Sequence, residues 1–158
     1  MTELREVLKD HILGVAHVGF VVADLGVAVA DARRVYGLGP DDFSYQPAPG
    51  EEAQTRFAFF RVGELEFELI EPRSEHFRAL LLNMPSGGAG INHVAWRVVD
   101  IDGAVALLAR QGVFPGHVTP DGVINIGPKK MVYLDPATTG GLVIELIETL
   151  ADADSAGL

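Results

Sequence analysis

The feature that most constrains this chain is that it repeats itself. The stretch HVGFVVADLGVAVADARRVYGL, starting at His17, aligns with HVAWRVVDIDGAVALLARQGV, starting at His93. His17 matches His93, Val18 matches Val94, Phe20 matches Trp96, Val22 matches Val98 and Asp24 matches Asp100, all at an offset of 76. Later, Glu68-Leu-Ile-Glu71 returns as Glu145-Leu-Ile-Glu148 at an offset of 77, so the His-to-Glu separation is 51 residues in one copy and 52 in the other. A recurring tetrapeptide means little alone. Arriving in register with the first match, it makes duplication the best explanation. With 158 residues the chain has room for one ordinary domain, so the two copies must share it.

Each copy carries the same local signals. Residues 12–22 and 91–99 are rich in Val, Ile and aromatic side chains and read as strands. Asp24 and Asp100 stand where helix N-caps belong, before alanine-rich amphipathic segments near 25–36 and 101–111 that run to Gly37 and Gly112. Residues 55–62 and 65–71 form a hairpin around Gly63-Glu64, and residues 130–134 and 141–148 form its counterpart, turned by Asp135-Pro136 and Gly140-Gly141. Strand, helix, then strands, done twice, is an α+β plan. It gives one domain over 12–149 with modules of about 12–72 and 91–149 and a connection at 73–90, where Glu75–Leu82 reads as helix and Pro85–Gly90 as a flexible joint. Leu4, Val7, Leu8 and Ile12 recur at helical spacing, so residues 1–11 read as an amphipathic leader helix; residues 150–158 are a tail.

Composition removes several classes of function. There are no cysteines, so disulfide frameworks, thiolate metal sites and cysteine nucleophiles are absent together, as suits a reducing cytoplasm. The formal net charge of −10 argues against a nucleic-acid partner, which requires phosphate-neutralising Lys and Arg. The apolar runs are short and broken by charge, and the start lacks the apolar core of a signal peptide, so neither a membrane span nor secretion is expected.

Side chains alternate across a strand, and this parity sorts faces. Val15, His17, Gly19 and Val21 share one face; Glu66, Glu68 and Ile70 share another; Val143, Glu145 and Ile147 share a third. A carboxylate among apolar neighbours is costly unless paired or bound to a metal. A His and a Glu at matching positions in both copies therefore read as ligands: His17, Glu68, His93 and Glu145 for one divalent ion, with Gly19 and Ala95 leaving open space beside each His. Imidazole suits Zn, Ni and Co, while carboxylate admits harder ions. His11, His76 and His117 have no partner in the other copy and read as surface or loop residues.

GINHVAWRVVDIDGAVALLARQGV, FELIEP and YLDPATTGGLVIELIE resemble the vicinal oxygen chelate superfamily, which holds glyoxalase I, methylmalonyl-CoA epimerase, extradiol dioxygenases and antibiotic-resistance binding proteins; the closest likeness is to methylmalonyl-CoA epimerase. The resemblance covers roughly residues 12–149 and implies two βαβββ modules forming a cupped mixed sheet around a metal site. By position His17, His93 and Glu145 match the family's ligands, and Glu68 falls where some members have glutamine and others glutamate. It further implies one divalent ion per chain (Co, Zn, Ni, Mn or Fe) and a homodimer. The activity implied is a metal-dependent epimerase or isomerase working through the enolate of an activated acid such as an acyl-CoA, with Glu145 as a base. Glyoxalase I-like lyase, Fe(II) dioxygenase and non-catalytic small-molecule binding are the alternatives. Two departures stand out. Epimerases of the family resemble two-base enzymes whose second carboxylate comes, in some members, from the strand before the Glu68 strand, yet Thr55–Val62 contains none, leaving Glu51, Glu52 and Glu66 nearby in sequence; and Asp135 stands where epimerases often have histidine.

Overall fold

In the computed structural model, which describes residues 6, 8–82 and 90–150, the period-2 segments become strands and the alanine-rich segments become helices. The elements run β1 (Ile12–Val21), α1 (Leu25–Tyr36), β2 (Ser44–Gln46), β3 (Thr55–Val62), β4 (Leu65–Pro72), α2 (Glu75–Leu82), β5 (Gly90–Val98), α3 (Ile101–Ala109), β6 (Ile124–Ile126), β7 (Lys129–Tyr133) and β8 (Ile144–Thr149). The fold is α+β, as expected. The 3-10 turn Pro40–Asp42 and the strands β2 and β6 have no counterpart among the elements expected from the sequence; both strands are three residues long, exposed at every position and too short to show a period. The last strand begins at Ile144 rather than 141, because Gly140 and Gly141 both take positive φ in the preceding turn. The leader helix rests on Leu4 and Val7, which lie outside the described residues, as do residues 83–89 of the connection and 151–158 of the tail. Among the described residues no helix is long and apolar enough to cross a membrane.

The chain divides into two compact units, His17–Val94 and Met1–Ala16 with Ala95–Leu158. In the His17–Val94 unit the strand order is β2-β3-β4-β1, followed by the first half of β5. β1 and β4 are parallel, whereas β2-β3 and β3-β4 are antiparallel, so the sheet is mixed. One face is covered by α1: Leu25 and Ala32 pack on Ala58, Phe60 and Leu69, and Phe60 stacks on Phe67 with ring centroids 5.1 Å apart. On the other face Val21, Ile70 and Leu81 of α2 form a small cluster with Phe57. Burying such large side chains contributes about 1.5–3 kcal/mol each.

The other unit uses the same order, with β6-β7-β8 followed by the second half of β5. Here α3 supplies Ile101, Ala104 and Leu108 to a core with Val98, Val132, Leu134, Leu146 and Leu8. The duplicated Glu-Leu-Ile-Glu now has a structural explanation. Its second glutamate caps a helix: Leu25 N–H donates to Glu71 at 2.6 Å and Ile101 N–H donates to Glu148 at 2.9 Å. Asp24 and Asp100 cap the same helices, accepting from Val27 N–H and Gly103 N–H. Three residues along a strand reverses the face, so the second glutamate points to the helices and the first points away from them.

Candidate metal centre

Register builds the centre in the His17–Val94 unit. Parallel pairing sets His17 opposite Glu66, Gly19 opposite Glu68 and Val21 opposite Ile70. Antiparallel β3 extends these rows with Arg61, Phe59 and Phe57. The face away from α1 therefore presents His17 and Glu66 in one row and Glu68 with Phe59 in the next. His93, from the first half of β5, joins them.

His17, Glu68 and His93 are buried, at 5%, 7% and 1% exposure. The two imidazoles meet with Nε2 to Nε2 at 3.0 Å, and Glu68 Oε2 lies 3.2 Å from both nitrogens. These atoms fall within a sphere of ligand donors all less than 4.8 Å from one another. The donor chemistry fits a cation better than it fits hydrogen bonding. Two neutral imidazoles facing through the same nitrogen can share only one proton, whereas all three lone pairs can be directed at one ion. His93 Nδ1–H donates to Asn92 Oδ1 at 2.9 Å, which leaves Nε2 as the lone-pair donor. Burial pushes the Glu68 carboxyl up, but hydrogen bonds and charge from His17 and His93 outweigh it and hold it at about 2, below the ordinary 4.5. The cluster is one that could hold a metal ion.

Gly19 corrects an expectation. The space beside His17 is occupied by the His93 ring: a Cβ at position 19 would lie 2.6 Å from His93 Nδ1 and 2.8 Å from its Nε2. Glycine is required there by contact, not by backbone conformation. The ring of Phe59 meets His17 edge-on at 6.5 Å and Phe57 stacks beyond it, so β3 turns aromatic rings rather than carboxylates toward this face.

Glu145, on β8 of the other unit, is buried and pairs in register with Tyr133 of β7. Its neighbours Ile144 and Leu146 pack into the α3 core, so Glu145 sits on the opposite face of its strand, as Glu68 does on β4.

The remaining candidates separate. Glu66 shares the His17–Glu68 face and is half-buried. Glu52 lies in a groove with Gln54, Arg56, Arg73 and Ser74, and Arg56 alternates with Phe57 to β3's other face. The backbone carbonyl of Glu51 accepts from Arg56 at 3.0 Å. His11 contacts the Val99 carbonyl through Nδ1 at 3.0 Å, and His76 is exposed against Phe77. His117 is different. It is a loop residue, as expected, but its Nε2 is buried and its ring meets Tyr133 edge-on, with centroids 5.3 Å apart. Asn92 and the capping pair Glu71 and Glu148 also escaped sequence reasoning; a polar residue next to a strand histidine was the only available signal for Asn92.

Comparison with known proteins agrees with this architecture. The structure is similar to a methylmalonyl-CoA epimerase from Mycobacterium tuberculosis, at 26% identity over 92% of this chain and 93% of that one, with a TM-score of 0.67. A Streptomyces coelicolor methylmalonyl-CoA epimerase variant in complex with 2-nitronate-propionyl-CoA shares the fold at 22% identity, over 89% of this chain and 96% of that one, also with a TM-score of 0.67. The uncharacterized protein YqjC of Bacillus subtilis (strain 168) is 29% identical over 141 residues, 86% of this chain and 92% of its own length. Residues 16–124 match the family profile described as the Glyoxalase/Bleomycin resistance protein/Dioxygenase superfamily. With two thirds of its length matched, and with the duplicated mixed-sheet plan that superfamily uses, this chain belongs to the glyoxalase/bleomycin resistance protein/dioxygenase, or vicinal oxygen chelate, superfamily.

Proposed function

We propose that the chain is a metal-dependent epimerase or isomerase that works through the enolate of an activated acid, with methylmalonyl-CoA the first substrate to test. The observation that carries this reading is the convergence of His17 Nε2, His93 Nε2 and Glu68 Oε2 on one point of a buried strand face. Glu145, matching Glu68 in the repeat, is the fourth residue that would hold one divalent ion (Co, Zn, Ni, Mn or Fe). When bound, such an ion supplies Lewis acidity that makes the proton α to a carbonyl removable near neutral pH. The residues then do the proton work. Glu145 takes the α-proton as general base. Glu66, in register with His17 on the same face, is the second acid–base carboxylate that β3 lacks. A second carboxylate that returned a proton to the opposite face of the carbon would invert the centre. Phe57 and Phe59, stacked on each other on the same face, would give the substrate an apolar wall.

Similarity to epimerases whose structures were solved with an acyl-CoA analogue supports a small-molecule acyl thioester substrate. The protein acts in the cytoplasm as a homodimer, a state that light scattering at micromolar concentration reads directly. A one-base, glyoxalase-like reaction is the second reading, favoured by the aromatic character of β3.

The test is solvent exchange. Protein purified without a histidine tag should exchange the α-proton of methylmalonyl-CoA with deuterium from solvent in a metal-dependent way. Glu145→Gln should suppress exchange even where metal remains. Exchange without epimerisation would move the assignment to the one-base reading, with a glutathione hemithioacetal as its substrate. No exchange with either compound, despite bound metal, would refute the enolate mechanism.

A further inference from the structure

The segment Val113–Thr119 is held to the end of β7 by backbone and side-chain hydrogen bonds. Gly116 N–H donates to the Tyr133 carbonyl at 2.9 Å, and Asp135 N–H donates to the Phe114 carbonyl at 2.8 Å. Pro115 bridges Leu134, and the buried Thr119 hydroxyl accepts from Tyr133 N–H at 2.7 Å while reaching the Tyr133 carbonyl at 3.2 Å. A side chain at Gly116 could not fit, since its Cβ would lie 2.8 Å from the Asp135 Cα. Within this clamp His117 takes φ of +58°, a left-handed conformation that few non-glycine residues adopt, Asn, Asp and His more readily than the rest. Such strain persists only where the surroundings impose it, and it concentrates at functional positions. The imidazole meets the Tyr133 ring edge to face, with centroids 5.3 Å apart at 67°. Tyr133 is itself buried and stands directly across the β7–β8 ladder from Glu145. Side chains opposite one another in an antiparallel pair share a face, with Cβ atoms about 4.5–5.5 Å apart. Imidazole, phenol ring and carboxylate thus follow one another along a single face.

We infer that His117 is a positioning residue for Glu145, acting through Tyr133. The strained loop holds the imidazole against the phenol ring, and the ring holds the Glu145 carboxylate in one rotamer. The inference rests on the proposed role of Glu145 and adds to it a residue 28 positions away in the chain.

The test separates the imidazole from the backbone strain. His117→Asn keeps a residue that tolerates the left-handed conformation but removes the ring. His117→Gly removes both ring and strain. Tyr133→Leu removes the intermediary. Crystal structures of the wild type and His117→Asn read the carboxylate directly, and solvent-deuterium exchange separates kcat from KM. The expected result is a displaced Glu145 rotamer in His117→Asn, with kcat lowered tenfold or more, KM within twofold of wild type, and metal affinity lowered as well because Glu145 is also a proposed ligand. His117→Gly should behave like His117→Asn, and His117→Asn combined with Tyr133→Leu should be no worse than Tyr133→Leu alone. An unchanged Glu145 rotamer, or additive effects in the double variant, would overturn the inference. A wild type that binds no metal and exchanges no proton would refute the proposed function, and the two crystal structures would still decide the positioning.

Discussion

Gly19→Ala puts a single methyl group where the His93 ring already lies. The new Cβ would stand 2.6 Å from Nδ1 and 2.8 Å from Nε2, inside van der Waals contact of about 3.5–4 Å. The ring must therefore recoil by roughly 1 Å. No left-handed backbone is involved at this position, so the cost is steric alone. Overpacking of this kind costs about 1–3 kcal/mol. For a chain of this size that is a fall in Tm of roughly 2–12 °C for the metal-free protein. The effect on metal should be larger than the effect on folding. Ligand distances are tolerant to about 0.2 Å, so a displacement near 1 Å takes Nε2 out of the coordination sphere. Disturbing the orientation of a ligand histidine typically costs 10–100-fold in affinity, and the loss here should reach or exceed that. Competition against a chromogenic chelator measures affinity, and calorimetry of the metal-free protein measures the stability term. Wild-type metal affinity in folded Gly19→Ala protein would refute the reasoning, because the His93 ring could not then be both a ligand and the neighbour of Gly19.

Three further outcomes are expected. Purified protein should carry about one divalent ion per chain; His93→Ala should lose most of it, and Glu68→Gln should be milder because an amide oxygen can still coordinate, with elemental analysis as the readout. Glu71→Ala and Glu148→Ala should each destabilise by about 1 kcal/mol through a lost helix cap while leaving metal content unchanged, so metal loss in either variant would contradict the assignment of faces. Glu68 is held at about 2 in the folded chain against an ordinary 4.5, so its contribution to the stability of metal-free protein is present above 4.5 and is lost as pH falls toward 2; Glu68→Gln should flatten urea-denaturation stability across that window, and an unchanged pH slope would argue against the His17–Glu68–His93 pairing.

Much of the candidate centre was legible because its signals are local and doubled. Apolar alternation in 12–22, 55–62 and 65–71 marks strands, Asp24 and Asp100 mark helix starts, and the in-register recurrence of His17 with His93 and of Glu68 with Glu145 singles out four side chains among all the His and Glu of the chain. Parity could assign each to a face of its own strand, since alternation is a property of one strand taken alone.

What parity could not supply is register, which belongs to pairs of strands distant in sequence. Only the tertiary structure sets Glu68 opposite Gly19 and Glu66 opposite His17, brings two imidazoles 76 residues apart to 3.0 Å, and fills the space beside His17 with the ring of His93. The second glutamate of the repeated tetrapeptide was invisible as a cap because its partner amides, Leu25 and Ile101, lie 46 and 47 residues upstream. β2 and β6 bury nothing and so leave no pattern. His117 has no counterpart in the repeat, and its position depends on a loop conformation fixed by backbone bonds to Tyr133 and Asp135. Sequence determines which side chains can face inward, because that follows from the pitch of a strand. Folding decides which of them meet, because that follows from backbone hydrogen bonds between segments the chain order keeps far apart.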